Sequence, residues 1–363
     1  MKKILIFLLS LSTIAQAQQL GFNGNGFFEN QSDSTDKWFG DLRPFVIRVP
    51  GGAVAKYARP AHDRGGWGMD NGLIDTITFL YKSQEEEPSG DILAKWNRKL
   101  SEQPVKSYLD NLIEFVSLYP DTKVIWVANI YIPAELAIEP IDYLIANGVD
   151  VVCVEMGNES YSQVKHGFNE YVSKMTAIHS LVVERGIPVS HPAAPLGGRQ
   201  RTDHTQWNTS LNEYITGTGD WITFHPYFDG REFPCLVQPV DTVCAIEQIE
   251  AFDFDAFFAD IKDFYDAGGY IVTESNIQPS NLVGDTEVNA IFAERLLLAG
   301  KRNFNYFCIH SGRTPDKYGL VYGVKSQKKN TTFEAFDKAN TTVKVVKPKK
   351  CGFFCWIINL FKK

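Results

Sequence analysis

Two carboxylates carry the chemistry this sequence offers. Glu159 closes the segment Val151-Val152-Cys153-Val154-Glu155-Met156-Gly157-Asn158-Glu159, and Glu274 closes Tyr270-Ile271-Val272-Thr273-Glu274. Each lies at the end of a β-branched, apolar run with helix-like sequence before and after it. Paired carboxylates are the tools for cutting a glycosidic bond. One protonates the departing oxygen, and the other attacks the anomeric carbon or activates a water. The donor needs a raised pKa. Its partner must stay ionised, and a nearby cation such as Arg48 favours that.

For the two acids to meet, the chain must bring distant strand tips to one place. Extended segments are expected at Gly21–Phe28, Phe45–Val49, Lys123–Ala128, 150–156, Ile187–His191, Trp221–His225, 270–274 and Asn305–His310. Helices are expected between most of them, at 106–119, 134–147, 163–185, 207–214, 246–267 and 288–299, several closed by Gly. The strands are continuous apolar runs and not alternating ones, as in sheets covered on both faces. Eight such strands separated by helices predict a single-domain α/β fold, the (β/α)8 TIM barrel, over residues 18–335. An open doubly wound sheet fits less well, because no glycine-rich phosphate fingerprint follows the first strand. In the barrel Glu159 follows the fourth strand and Glu274 lies on the seventh, so both face one mouth.

Gly157-Asn158-Glu159, Thr273-Glu274 and the intervening His225-Pro226-Tyr227 resemble the retaining glycoside hydrolases of clan A, which are barrels with catalytic acids after strands four and seven. Phe27-Phe28-Glu29, Arg48-Val49-Pro50-Gly51-Gly52 and Glu155–Glu159 are most similar to the arabinofuranosidase-like families within that clan. The resemblance covers about residues 20–335, without the β-sandwich that usually follows the barrel in those families. It implies Glu159 as general acid/base, Glu274 as nucleophile, and Asn158 as a hydrogen-bonding partner of the sugar 2-hydroxyl. Glu29 would contact substrate, Arg48 and Tyr227 would hold Glu274 ionised and oriented, and Asn129 would stand in the pocket wall. The implied activity is O-glycoside cleavage in a poly- or oligosaccharide such as hemicellulose, with no cofactor and no metal.

Other residues bear on the same mouth. His225 and Tyr227 either touch substrate or plug the rim, and His310 ends the last strand. Trp67, in the run Gly65-Gly66-Trp67-Gly68, is a better sugar platform than Trp126 or Trp221, which fall within core strands. The long segment 53–103 is expected to shape the subsites. A zinc hydrolase would need clustered ligands, and the chain has neither CxxC nor HxxxH spacing. His62, His191, His225 and His310 are scattered in sequence. A barrel that binds glycans without cleaving them is the alternative reading from another functional class.

Residues 1–17 read as a secretory signal, with Lys2 and Lys3, an apolar run Ile4–Leu11, and Ala15-Gln16-Ala17 at the cleavage site. A secreted or periplasmic protein follows. Removal takes away two lysines and no acid, moving the formal charge from -7 to -9. That acidity argues against a nucleic-acid partner. Cys153 and Cys308 look like buried small hydrophobes, whereas Cys235 and Cys244 flank a Pro-containing loop and could either pair or stay free. Residues 336–363 read as a tail, basic over Lys344–Lys350 and apolar over Cys351–Phe361. It is too short to span a bilayer, which leaves packing on the barrel or lying in a lipid interface.

Overall fold

The computed structural model describes residues 19–24, 40–61, 66–69, 108–162, 167–196, 202–237, 239–278, 286–310, 313–314, 320–322, 328–329 and 331–341. Eight parallel strands close into a barrel: β1 Gln19–Asn23, β2 Val46–Val49, β3 Lys123–Ala128, β4 Val151–Met156, β5 Val189–Pro192, β6 Trp221–Phe224, β7 Gly269–Val272 and β8 Tyr306–Ile309. Each strand pairs with its neighbours in chain order, and β1 closes the ring on β8 in the register Gly21↔Cys308 and Phe22↔Ile309.

Side-chain alternation along each strand sorts residues between the lumen and the helix layer. Val46, Ile125, Cys153, Ile271 and Cys308 form a sealed apolar floor inside the barrel. Two residues further along β2 and β4 the lumen turns polar, with Arg48 and Glu155, both fully buried. The outward residues, among them Ile47, Val154, Val189 and Phe307, pack under the helices. Burial pushes the Cys153 thiol up to about 12, so it is an inert part of the floor.

The helices are α1 Tyr108–Leu118, α2 Ala134–Ala146, α3 Phe168–Glu184, α4 Thr202–Ile215, α5 Thr242–Ala251, α6 Phe254–Asp263, α7 Glu287–Asn303 and α8 Thr331–Thr341. The single helix expected over 246–267 is two helices. Asp253 accepts from the Ala256 N–H at 2.9 Å and starts α6, while Phe252 turns into an aromatic cluster with Phe228, Phe233 and Phe254. Those rings back the loop after β6. The Pro-containing segment between Cys235 and Cys244 follows the start of a 3-10 turn, Pro234–Leu236, and runs into the first turn of α5, with the two cysteines joined in a disulfide. α8 runs past residue 335 and buries Phe336 and Ala339, so the helix layer continues into the segment read as tail. Residues 1–18 and 342–363, and with them the signal, Cys351 and Cys355, lie outside the described residues.

Candidate active site

The turn after β4 aims Glu159. Gly157 sits at φ +78, where a Cβ would stand 2.5 Å from Ser160 Oγ. Glu159 itself is at φ +47, a left-handed conformation that a side chain other than Gly or Asn seldom takes. The Ser162 N–H donates to the Glu159 carbonyl at 2.9 Å and holds the turn. Strained backbone of this kind collects at functional sites. Gly157→Ala is therefore expected to cost about 1–2 kcal/mol for the left-handed φ alone, with more for the clash. Thermal unfolding measures it, and an unchanged midpoint would show that the turn does not depend on glycine.

Glu274 is fixed from three sides. Arg48 Nη1 donates to its Oε1 at 2.6 Å, Asn23 Nδ2 to the same oxygen at 3.0 Å, and the Tyr227 hydroxyl to Oε2 at 2.7 Å. The other edge of the guanidinium grips Glu155, Nε to Oε2 at 2.8 Å and Nη2 to Oε1 at 2.7 Å, and Nη2 also reaches Asn158 Oδ1 at 2.8 Å. Burial by itself would raise the Glu274 pKa. The charges of His225, His310 and Arg48 and the Tyr227 hydrogen bond outweigh it and hold the carboxyl far below its usual range. Among these Arg48 is the cation that persists at every pH: burial lowers its pKa, but the charges and hydrogen bonds of Glu155 and Glu274 together outweigh that and leave it raised.

A small extension of the barrel locks this geometry. Beyond the tips of β6 and β7, Tyr227–Phe228 pairs in parallel with Asn276–Ile277, putting Tyr227 beside Glu274. Ser275 Oγ donates to the Pro226 carbonyl at 2.8 Å, and the His310 N–H donates to the Ser275 carbonyl at 3.0 Å.

His225 bridges the two acids. Its Nδ1 lies 3.1 Å from Glu159 Oε1 and 4.0 Å from Glu274 Oε2, and its Nε2 lies 2.8 Å from Thr273 Oγ1. Burial lowers the His225 pKa, but the Glu274 charge and the Glu159 hydrogen bond outweigh that and leave it raised. His310 Nε2 is 3.8 Å from Glu274 Oε2, and burial lowers its pKa. A carboxylate oxygen of Glu159 and one of Glu274 lie within 4.8 Å of each other. Glu159 is a third exposed, whereas Glu274 is almost sealed.

Arg48, Asn158, Glu159, His225, Tyr227, Glu274 and His310 thus meet at one mouth. The Asn129 amide is engaged by the backbone: its Nδ2 donates to the carbonyls of Lys56 and Ala58, and its Oδ1 accepts from the Tyr131 N–H, so it anchors the loop after β2. The Trp67 backbone pairs with Pro60 in a short hairpin, and its side chain and all of Glu29 lie outside what is described. Sequence reasoning gave no role to four residues. Glu155 is a charge inside an apolar strand, two positions beyond lumen-facing Cys153, and alternation alone would have marked it as inward. Asn23 lies on β1 in register with Arg48, a signal available only from strand pairing. Tyr161 is half-buried near Glu159, where burial and then the Glu159 charge raise its pKa well above the usual range, and no motif marked it. Lys56 is 5% exposed, and burial lowers its pKa to about 8 against the opposing charge of Glu159.

The donor set Glu159, His225 and Glu274 is compact enough for a metal ion. The Arg48 guanidinium, bonded to Glu274, places a permanent positive charge beside that position and opposes a second cation.

No family model and no curated protein matches the sequence. Among solved structures, AbfB, a family 51 α-L-arabinofuranosidase from Bifidobacterium longum, superposes with a TM-score of 0.55 at 14% identity, over 90% of this chain and 72% of that one. A conserved exported protein from Bacteroides fragilis superposes with a TM-score of 0.50 at 8% identity, over 90% of this chain and 79% of that one. At such identities the likeness is one of fold, the closed parallel barrel.

Proposed function

We propose that this chain is a retaining glycoside hydrolase acting by double displacement on O-glycosidic bonds of a poly- or oligosaccharide. The observation that carries the reading is the pair itself: carboxylate oxygens of Glu159 and Glu274 within 4.8 Å, one acid clamped by Arg48 and the other not. Carboxyl groups about 5–5.5 Å apart belong to retaining enzymes, while inversion needs about 6.5–9.5 Å to admit a water between them.

The environment of each acid supports one division of roles. Glu274, ionised and rigidly held, attacks the anomeric carbon as the bond to the leaving oxygen breaks, and Glu159 gives that oxygen its proton. A water then enters. Glu159 takes its proton, the hydroxyl bonds to the anomeric carbon, and Glu274 leaves as carboxylate. His225 holds the Glu159 carboxyl on its strained turn through both steps. Asn158, oriented by Arg48, is placed for the sugar hydroxyl next to the anomeric carbon.

The resemblance and the arabinofuranosidase with the same fold favour a furanoside or another hemicellulose residue. The apolar N-terminal stretch and the Cys235–Cys244 disulfide favour action outside the cytoplasm.

Trapping tests all of this together. A panel of activated 2-deoxy-2-fluoroglycosides, arabinofuranosyl and pyranosyl, is expected to leave one sugar ester-linked to the peptide containing Glu274, seen as a mass increase on that peptide. A label on another residue, or release from chromogenic substrates with inverted configuration, would overturn the assignment. No turnover and no label across the panel would favour a glycan-binding barrel.

A further inference from the structure

The proposed reaction leaves a second buried cluster unused. His179 comes from α3, His191 from β5 and Asp220 from the residue before β6, so they lie in the helix layer near the N-terminal end of β6. On β5, Ser190 faces the lumen, where it meets Thr223 at 2.9 Å, and its neighbour His191 therefore faces the helices. Both imidazoles direct Nε2 to the same oxygen, Asp220 Oδ2, at 3.0 Å from His179 and 3.1 Å from His191. Their rings stack 6.0 Å apart, with 20° between planes. His191 is sealed, and its Nδ1 lies 2.8 Å from the Tyr171 hydroxyl.

We propose that His179, His191 and Asp220 bind a zinc ion that ties α3 to β5 and to the start of β6. Zinc holds nitrogen and carboxylate ligands at about 2.0–2.2 Å in a tetrahedron, which sets neighbouring donor atoms about 3.3 Å apart. Two edges of that figure are already present at 3.0 and 3.1 Å, and all three donors lie within 4.8 Å of one another. Closing the third edge needs only a turn of the His179 ring, whose side chain is 21% exposed. The same exposed side admits a water as fourth ligand. Tyr171 fixes the His191 ring through its second nitrogen, as outer partners of zinc-bound histidines do.

The charges suit a cation. An anion flanked by two imidazole lone pairs is a nitrogen–oxygen donor set appropriate to zinc. Without metal, protons on the two Nε2 atoms bridge to Asp220 along the same edges, so the fold forms in either state. On binding, each neutral imidazole turns its Nε2 lone pair to the metal and carries its proton on Nδ1, which for His191 then donates to the Tyr171 hydroxyl. The spacing in sequence hides the site, since the ligands come from a helix, a strand and a loop.

The test uses the whole protein, stripped with chelator, incubated with zinc chloride, desalted and assayed for bound metal, with thermal unfolding in parallel. Cobalt(II) serves as a spectroscopic probe of tetrahedral coordination. Wild type is expected to retain one equivalent of zinc and to gain several degrees in its midpoint at zinc a hundredfold above Kd. His179→Ala, at a partly exposed helix position, is expected to fold but to bind at least tenfold more weakly and to lose the shift. Glu159→Gln is expected to bind as wild type does. Absence of retained zinc in the folded wild type would overturn the proposal. So would binding that survives His179→Ala but disappears in Glu159→Gln, which would put the ion at the mouth. Neither result bears on the glycosidase reading, because hydrolysis is not the readout.

Discussion

Glu274→Ala is expected to lower hydrolysis of a good substrate by at least about four orders of magnitude, with the protein still folded. The variant removes the atom that bonds to the anomeric carbon, and no neighbour can replace it. Asn23, Arg48 and Tyr227 all point donors at the vacated space. Those donors suit an added small anion. Azide is therefore expected to enter from the side that Glu274 occupied and to yield a glycosyl azide of inverted configuration. Glu159→Ala should behave oppositely. Its first step is slowed about 10²–10⁴-fold for poor leaving groups and far less for activated ones, because only the proton is missing. Azide then attacks the accumulated glycosyl-enzyme from the face where Glu159 stood, and its product retains configuration. NMR of the two azides decides the matter. Identical stereochemistry from both variants, or rescue of neither alongside near-normal turnover by Glu274→Ala, would dismantle the role assignment.

The barrel was legible because its determinants are local. Each strand is a short apolar run closed by Gly, Pro or a polar tip, and the count and order of these runs leave one closed architecture. The acids were legible for the same reason: Glu159 and Glu274 end such runs. What could not be read was anything decided by a neighbour distant in sequence. The break between α5 and α6 depends on Phe252 preferring an aromatic cluster built from Phe228 and Phe233. The service of Asn129 to the Lys56 loop depends on which way one amide turns. Glu155 was visible within its motif, but its function as the second partner of Arg48 requires β2 and β4 to lie on either side of β3. His179, His191 and Asp220 share no spacing at all.

Arg48→Met should have the largest effect on the scaffold and the site together. Arg48 lies fully buried between two carboxylates, and its loss leaves Glu155 and Glu274 without their cation. Removing one partner of a buried ion pair typically costs about 3–5 kcal/mol, on the order of 5–10 °C in the midpoint of a chain this size. The pH dependence separates the electrostatic role from packing. In the wild type the Glu274 pKa is depressed, so its contribution to stability is present above an unfolded carboxylate's value of about 4.3 and is lost as pH falls through the folded value. Without Arg48 the folded pKa rises, because burial is then opposed by His225, His310, Tyr227 and Asn23 without the guanidinium charge. The stability deficit should be widest near neutral pH and narrow in acid, where both carboxylates are protonated. The acidic limb of kcat/KM, set by ionisation of the nucleophile, should move to higher pH in the variant. Arg48→Lys keeps the charge but not the fork, so it should show a smaller loss and a smaller displacement of the limb. It carries the comparison where the methionine variant does not accumulate folded protein. An acidic limb unmoved in both variants would mean that Glu274 owes its ionisation to other groups, and the guanidinium would be left with a purely architectural part.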